Sequence, residues 1–305
     1  MRSWIGRVVF GLGGFLVVAG LLGLVWAPGV MEKTPVDVKT ITYLDGEAGK
    51  LDTATGELVR NPIYMISDTR TDSEVSTDDV VAWVSTSCIM VDRGGERECV
   101  DGSEDMIIAS VDVFATDRVT GEAVNEGVDL PADATPHEGL VNKWPFGAEQ
   151  TTYPYWDGTL GRAVDAVYDR TEDVGGLETY VYRVSIDQEP AEVVPGTQGL
   201  YSAVKEIFVE PATGSIVSQT EDQQRWLADG TPALDLQMAF TDEQVETAVA
   251  ATESNVTLLN LVKVVLPIVG FVGGGLLLVL GFVMMRRPAA RPVAHREREA
   301  VGAGR

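Results

Sequence analysis

The sequence predicts a mostly β domain, a twisted sheet or half-barrel, held between two transmembrane α-helices. Three observations carry this. Long apolar segments stand near each end of the 305 residues, the stretch between them alternates apolar and polar positions, and the acidic charge is concentrated in that stretch.

The second apolar segment sets the topology. Val264 to Met285 holds no charged residue. At ~1.5 Å of helical rise per residue it reaches ~33 Å, enough to cross a hydrocarbon core of ~30 Å. Arg286, Arg287, Arg291, Arg296 and Arg298 follow it, whereas Lys263 is the one basic residue just before it. This asymmetry places the C-terminus in the cytoplasm. At the other end Arg2 and Arg7 precede the run VVFGLGGFLVVAGLLGLVWA. Its length fits an uncleaved anchor, and Pro28 makes the alternative, a cleaved signal peptide, a poor substrate. The organisation read from this is a cytoplasmic N-terminus at 1–7, a span or signal anchor at 8–27, and an extracytoplasmic β domain at 28–240. A helical stalk at 241–262, a span at 263–285 and a basic cytoplasmic tail at 286–305 complete it. Both termini are expected inside the cytoplasmic membrane and the main domain outside it.

Charge narrows the partners. Setting aside Arg2, Arg7, the six arginines of the tail, Glu297 and Glu299 from 23 basic and 46 acidic residues leaves −29 between the spans. Such a surface repels nucleic acid, so nucleic-acid binding is excluded, and it also suits a high-salt or cation-rich surrounding. The two cysteines, Cys88 and Cys99, fall in the segment placed outside the cytoplasm and enclose VDRGGERE with Gly94 and Gly95 at its centre. A disulfide across a hairpin is expected there, against the alternative of two unpaired thiols.

Strand patterns recur from Met31 to Phe240. Val36 to Tyr43 alternates, and Thr179 to Asp187 puts Tyr180, Tyr182, Val184 and Ile186 on one face. Val80–Val91, Met106–Ala115 and Leu200–Val209 are rich in β-branched and aromatic residues. Thr55-Gly56, Thr120-Gly121 and Thr213-Gly214 read as hairpin turns with glycine at positive φ. Long loops are expected at Gly121–Glu138 and Gln188–Gly199. Thr241 to Gln244 starts a helix, with Thr241 as cap and Gln244 completing a capping box. The sequon Asn255-Val-Thr257 lies next to the span and carries little weight.

Aromatic residues concentrate in Leu140–Leu160, where Trp144, Phe146, Tyr153, Tyr155 and Trp156 occur together. Pro145 and Pro154 keep this backbone extended. The rings could line a groove for an apolar or sugar ligand, or plug one end of the sheet. Here the chain resembles the actinobacterial cell-envelope family called porin PorA. The residues that carry the likeness are Lys143-Trp-Pro-Phe146, Tyr153-Pro-Tyr-Trp-Asp157 and the turn Pro211-Ala-Thr-Gly214. The resemblance covers most of the chain and implies a mostly β domain in the envelope space. It also implies a link to handling mycolic-acid glycolipids, such as trehalose monomycolate, alongside a lipid transporter. The layout is similar to that of CD36-type scavenger receptors in topology alone. A diffusion pore needs a closed barrel of about ten-residue segments with a lipid-facing side, so a true porin is not expected from two helical spans and an acidic domain.

Catalysis lacks parts. His137 is the one histidine outside the membrane, His295 lies in the tail, and no Gly-x-Ser-x-Gly elbow occurs. Usual zinc sites want several His or Cys ligands. Acids at Asp78-Asp79 and Asp101–Asp105 lack the ordered calcium-loop spacing. No Leu-Pro-x-Thr-Gly sorting site precedes the tail, since Leu266-Pro-Ile-Val-Gly270 lacks the threonine. No cofactor or metal is expected. The expected function is a non-enzymatic lipid- or glycolipid-binding accessory of envelope assembly. The alternative is a scaffold that binds a partner membrane protein, with Gly11, Gly13, Gly14, Gly20, Gly23 and Gly273-Gly-Gly275 allowing close helix approach.

Overall fold

A computed structural model describes residues 2–286. The tail predictions at Arg287, Arg291, Arg296, Arg298 and His295, together with Met1, lie outside the described residues. The described chain divides into two units, one formed by the terminal helices and one by residues 29–259.

The helices are α1 (Arg2–Val25) and a C-terminal series that begins with α3 (Asp242–Asn260), which belongs to the second unit up to Leu259, and continues in the first unit through α4 (Leu266–Ile268) and α5 (Gly274–Arg286). A four-residue helix, α2 (Pro28–Met31), follows α1. Trp4–Val25 and Asp242–Arg286 are each long and apolar enough to cross a membrane. Between α3 and α5 two wider π-turns flank Leu266-Pro267-Ile268. A proline lacks the N–H for the ordinary ladder and its ring crowds the preceding turn, and a π-turn gives that room.

Glycines set the contact between α1 and its antiparallel partners. A Cβ on Gly13 would press on the Gly274 carbonyl at 2.8 Å, and one on Gly20 would meet the Gly270 Cα at 3.1 Å. Gly6 meets Gly281, and Gly23 meets Val262 and Leu266. Without a hydrophobic drive between helices in lipid, such close backbone packing supplies the attraction. Of the glycines singled out in sequence, Gly13, Gly20, Gly23 and Gly274 form the seam, while Gly11, Gly14 and Gly275 face open space.

In the second unit ten antiparallel strands form one sheet: β1 (Lys39–Asp52), β2 (Glu57–Asp72), β3 (Val80–Val91), β4 (Met106–Asp117), β5 (Tyr153–Asp157), β6 (Arg162–Val174), β7 (Leu177–Val194), β8 (Thr197–Glu210), β9 (Ser215–Leu227) and β10 (Pro232–Phe240). Their spatial order is β4-β3-β2-β1-β10-β9-β8-β7-β6-β5. Two meanders therefore run in opposite directions from the seam where β1 meets β10. The sheet is a half-barrel, as its pattern predicts. Its two edges, β4 and β5, are linked by the segment that connects them in sequence, through bridges Thr116–Ala123, Glu122–Leu140 and Leu140–Tyr155.

The residues expected on one face of β7, Tyr182, Val184 and Ile186, are buried in a core with Tyr201, Ile207 and Val209 of β8, and Tyr180 packs against it. The opposite face buries Val181, Phe208 and Val217 under Val249 of α3. Gly56, Gly121 and Gly214 have φ of 74°, 74° and 71°, as the three turns require. Cys88 and Cys99 form a disulfide, and Tyr64 Oη donates to the Glu98 carbonyl beside it at 2.9 Å.

Two expectations need correction. Gln188–Gly199 is not a loop. β7 passes through a bulge after Ile186, with Gln188 at φ 49°, and pairs with β8 again from Glu189. β6 pairs with β7 only as far as Val184, so Pro190 lies where β7 has a ladder on one side alone, a setting that tolerates proline. The capping box is half formed. The Gln244 N–H donates to Thr241 Oγ1 at 3.1 Å, but Gln244 Oε1 accepts the N–H of Tyr43 at 3.2 Å instead of capping Thr241. The Thr241 N–H is taken by the Tyr43 carbonyl, so the helix start prolongs the β1–β10 ladder.

Candidate functional site

The three motifs quoted above meet in space. The Trp144 N–H donates to the Gly214 carbonyl at 3.0 Å, and the Ala148 N–H to that of Pro211 at 2.8 Å. Below this contact the buried Glu210 carboxylate accepts the N–H groups of Ala212 and Thr213 and the Thr213 hydroxyl, which fixes the turn. A Cβ on Gly214 would overlap the Trp144 carbonyl, and one on Gly121 would press on the Lys143 carbonyl at 2.6 Å. Two Thr-Gly turns thus clamp the backbone of Lys143 and Trp144 from both sides. Leu140 joins Tyr153–Asp157 to the clamp: its N–H donates to Pro154 O and its carbonyl accepts the Trp156 N–H.

The clamped rings have unequal roles. Trp144 is fully buried, stacks on Tyr155 at 5.4 Å and on Tyr182 at 5.1 Å between ring centres, and leaves its Nε1 without a partner among the described residues. Tyr153 meets Tyr182 edge-on at 5.7 Å. Trp156 packs on the buried His137 ring at 4.3 Å. Phe146 and Tyr155 alone among the five line the large cleft of this unit.

That cleft has a volume of about 880 Å³, in the range of small-molecule sites. Its floor is the inner face of the sheet, where the period of two sorts residues by strand. Leu44, Met65, Ile216, Met238 and Phe240 give an apolar wall. Thr40, Thr42, Ser67, Thr69 and Ser85 give a hydroxyl wall beside it, within which Thr69 Oγ1 and Ser85 Oγ lie 2.8 Å apart. Ala248, Ala251 and Leu258 of α3 form a further side.

Charge inside the cleft is arranged differently from the rest. Lys143 lines it with its ammonium 3.3 Å from the centre of the Phe146 ring, donating to Thr34 Oγ1 at 3.1 Å. Burial pulls its amine down to about 7. Deeper, Lys205 lies 3.1 Å from Asp157 and 3.6 Å from Glu221, and Tyr201 Oη donates to Asp157 Oδ2 at 3.1 Å. Burial alone would lower the Lys205 amine, but Glu221 and Asp157 outweigh it and hold it well above its ordinary value. Burial alone would raise the Asp157 carboxyl, but Lys205 and the bonds from Leu160 and Tyr201 hold it below its ordinary value. His137 faces acceptors on both sides, Asp112 Oδ2 at 2.9 Å and Thr135 O at 2.7 Å.

Sequence reasoning missed the hydroxyl wall and the Lys143 position. A signal existed: Thr40/Thr42, Ser67/Thr69 and Ser85/Ser87 repeat at a spacing of two, which places small hydroxyls on one face of three strands. The acid pairs at Asp78-Asp79 and Asp101–Asp105 fall on turns, where Asp79 pairs with Lys33 at 3.0 Å and Asp105 with Arg93 at 3.0 Å.

Fold and cleft define a class: a half-barrel β domain with an interior cleft, flanked by two helices fit to cross a bilayer, consistent with a double-pass membrane protein. A family model described as Porin PorA matches residues 5–283, and the chain belongs to that family. Comparison with curated proteins gave no match.

Proposed function

We propose that this is a membrane-anchored, non-enzymatic cell-envelope protein whose β domain binds an amphiphile, a lipid or glycolipid, and hands it over alongside a lipid transporter. The observation that carries the reading is the two-sided cleft. An apolar wall suits an acyl chain, and a wall of serine and threonine hydroxyls suits a sugar or ester head. The topology belongs to the same reading. Arg2 and Arg7 at the start of the first helix and Arg286 at the end of the last favour cytoplasmic termini. The Cys88–Cys99 disulfide favours an oxidising space for the domain.

The reading is tested by native mass spectrometry of the full chain released from envelope membranes in a neutral detergent. A lipid-sized adduct is expected on the wild type and is reduced in Met65→Trp and Met238→Trp, which fill the cleft. Equal adducts on all three folded proteins, or none on any, would reject it. The scaffolding alternative draws on Gly11, Gly14 and Gly275, which the α1 seam leaves open for another helix.

A further inference from the structure

We infer that the cleft recognises an amphiphile with an anionic head, a carboxylate, seated at Lys143. This rests on the binding function proposed above and narrows its ligand class.

Three of the chain's six lysines, Lys33, Lys39 and Lys143, line this one cleft. They do so in a domain whose surface is otherwise heavily acidic. Lys33 pairs with Asp79 and Lys39 with Asp68, but among the described residues no carboxylate comes within ion-pair distance of Lys143. The acids that line the cleft are already engaged, Asp112 by His137 and Glu221 by Lys205. A part-buried ammonium without a counter-ion is costly, and an anion brought to it offsets its desolvation. Desolvation lowers the Lys143 amine to about 7.

The surrounding donors select the head. Lys143 supplies one charge, the Thr34 hydroxyl can turn its proton outward, and Asn142, which also lines the cleft, has a buried Oδ1 without a partner. Amide orientation is assigned from hydrogen bonding, so an incoming acceptor can recruit the Asn142 Nδ2 instead. Together they offer one positive charge and two neutral donors, which suits the two oxygens of a monoanionic carboxylate. The apolar wall of Leu44, Met65 and Met238 takes the chain attached to it.

The test is calorimetric titration of the full chain in neutral detergent with oleate, uncharged monoolein and 1-oleoyl lysophosphatidate. Oleate is expected to bind at least tenfold tighter than monoolein at pH 6.5. The preference should shrink at pH 9, vanish in Lys143→Met and persist in Lys143→Arg. Equal affinities for oleate and monoolein, or an undiminished preference in a folded Lys143→Met, overturn the inference while leaving the cleft as an amphiphile site. Tighter binding of lysophosphatidate than oleate overturns the carboxylate in favour of phosphate. Binding of none of the three overturns both this inference and the binding function it rests on.

Discussion

Gly214, at φ 71°, accepts the Trp144 N–H while the Trp144 carbonyl occupies the space where a Cβ would stand. Turn and aromatic segment therefore lock each other, although about 70 residues separate them in sequence.

Gly214→Ala should destabilise the domain by roughly 2–4 kcal/mol, combining a left-handed backbone with a steric overlap. Gly56 has a similar φ but open space around it, so Gly56→Ala should cost only about 1 kcal/mol. Chemical denaturation of both variants compares them. Equal losses would show that the clamp contributes nothing.

Breaking the Cys88–Cys99 link by Cys88→Ser with Cys99→Ser should cost roughly 2–3 kcal/mol, the chain-entropy value for a short loop. Melting with and without reductant measures it. A wild type insensitive to reductant would count against the estimate.

Lys143→Met should raise stability at neutral and acid pH and have little effect in strong alkali. The sign follows from linkage. The amine falls from 10.5 in the unfolded chain to about 7 in the fold, so the unfolded state binds more protons between these values. Stability then rises with pH across that window. The burial penalty is greatest below pH 7 and disappears above the unfolded value. Removing the amine should gain roughly 1–3 kcal/mol at pH 6. A variant less stable than wild type at pH 6 would contradict this.

Asp157→Asn leaves buried Lys205 with Glu221 alone and should cost roughly 2–4 kcal/mol at neutral pH. The folded-state carboxyl lies below its ordinary value. Its contribution is therefore present above the unfolded value and is lost as pH falls through the folded one. The gap between wild type and variant should narrow in acid, which denaturation at several pH values reads directly.

The terminal-helix seam predicts position-specific effects. Gly274→Leu should lower the melting temperature of the full chain in detergent, because the Gly13 carbonyl already fills that space. Gly11→Leu should leave it unchanged. Matching shifts would show that the glycine seam does not hold these helices together.

What sequence made legible was whatever depends on local period or composition. The spans were visible because a bilayer imposes length and apolarity on every residue. The three Thr-Gly turns and the inward tyrosines of β7 were visible because φ and alternation are local properties. β2, β6 and β9 were not singled out, because half-barrel strands with polar residues on both faces lack clean hydrophobic alternation. Asp68, Arg70, Ser67 and Thr69 of β2 show this. The aromatic rings divided between core and cleft for a non-local reason: Trp144 is pulled inward by Tyr182 from a strand far along the chain. Lys143 could be quoted from its motif, but only the fold shows that, among the described residues, no acid reaches it.

The interior cleft is the place proposed for the amphiphile. Photocrosslinking the full chain with a diazirine-bearing fatty acid, followed by peptide mapping, reads this most directly. Labels on Met65, Met238 or Phe240, lost when excess oleate competes, are the predicted result. Labels confined to α1 and α5, with the cleft residues unmarked, would contradict it.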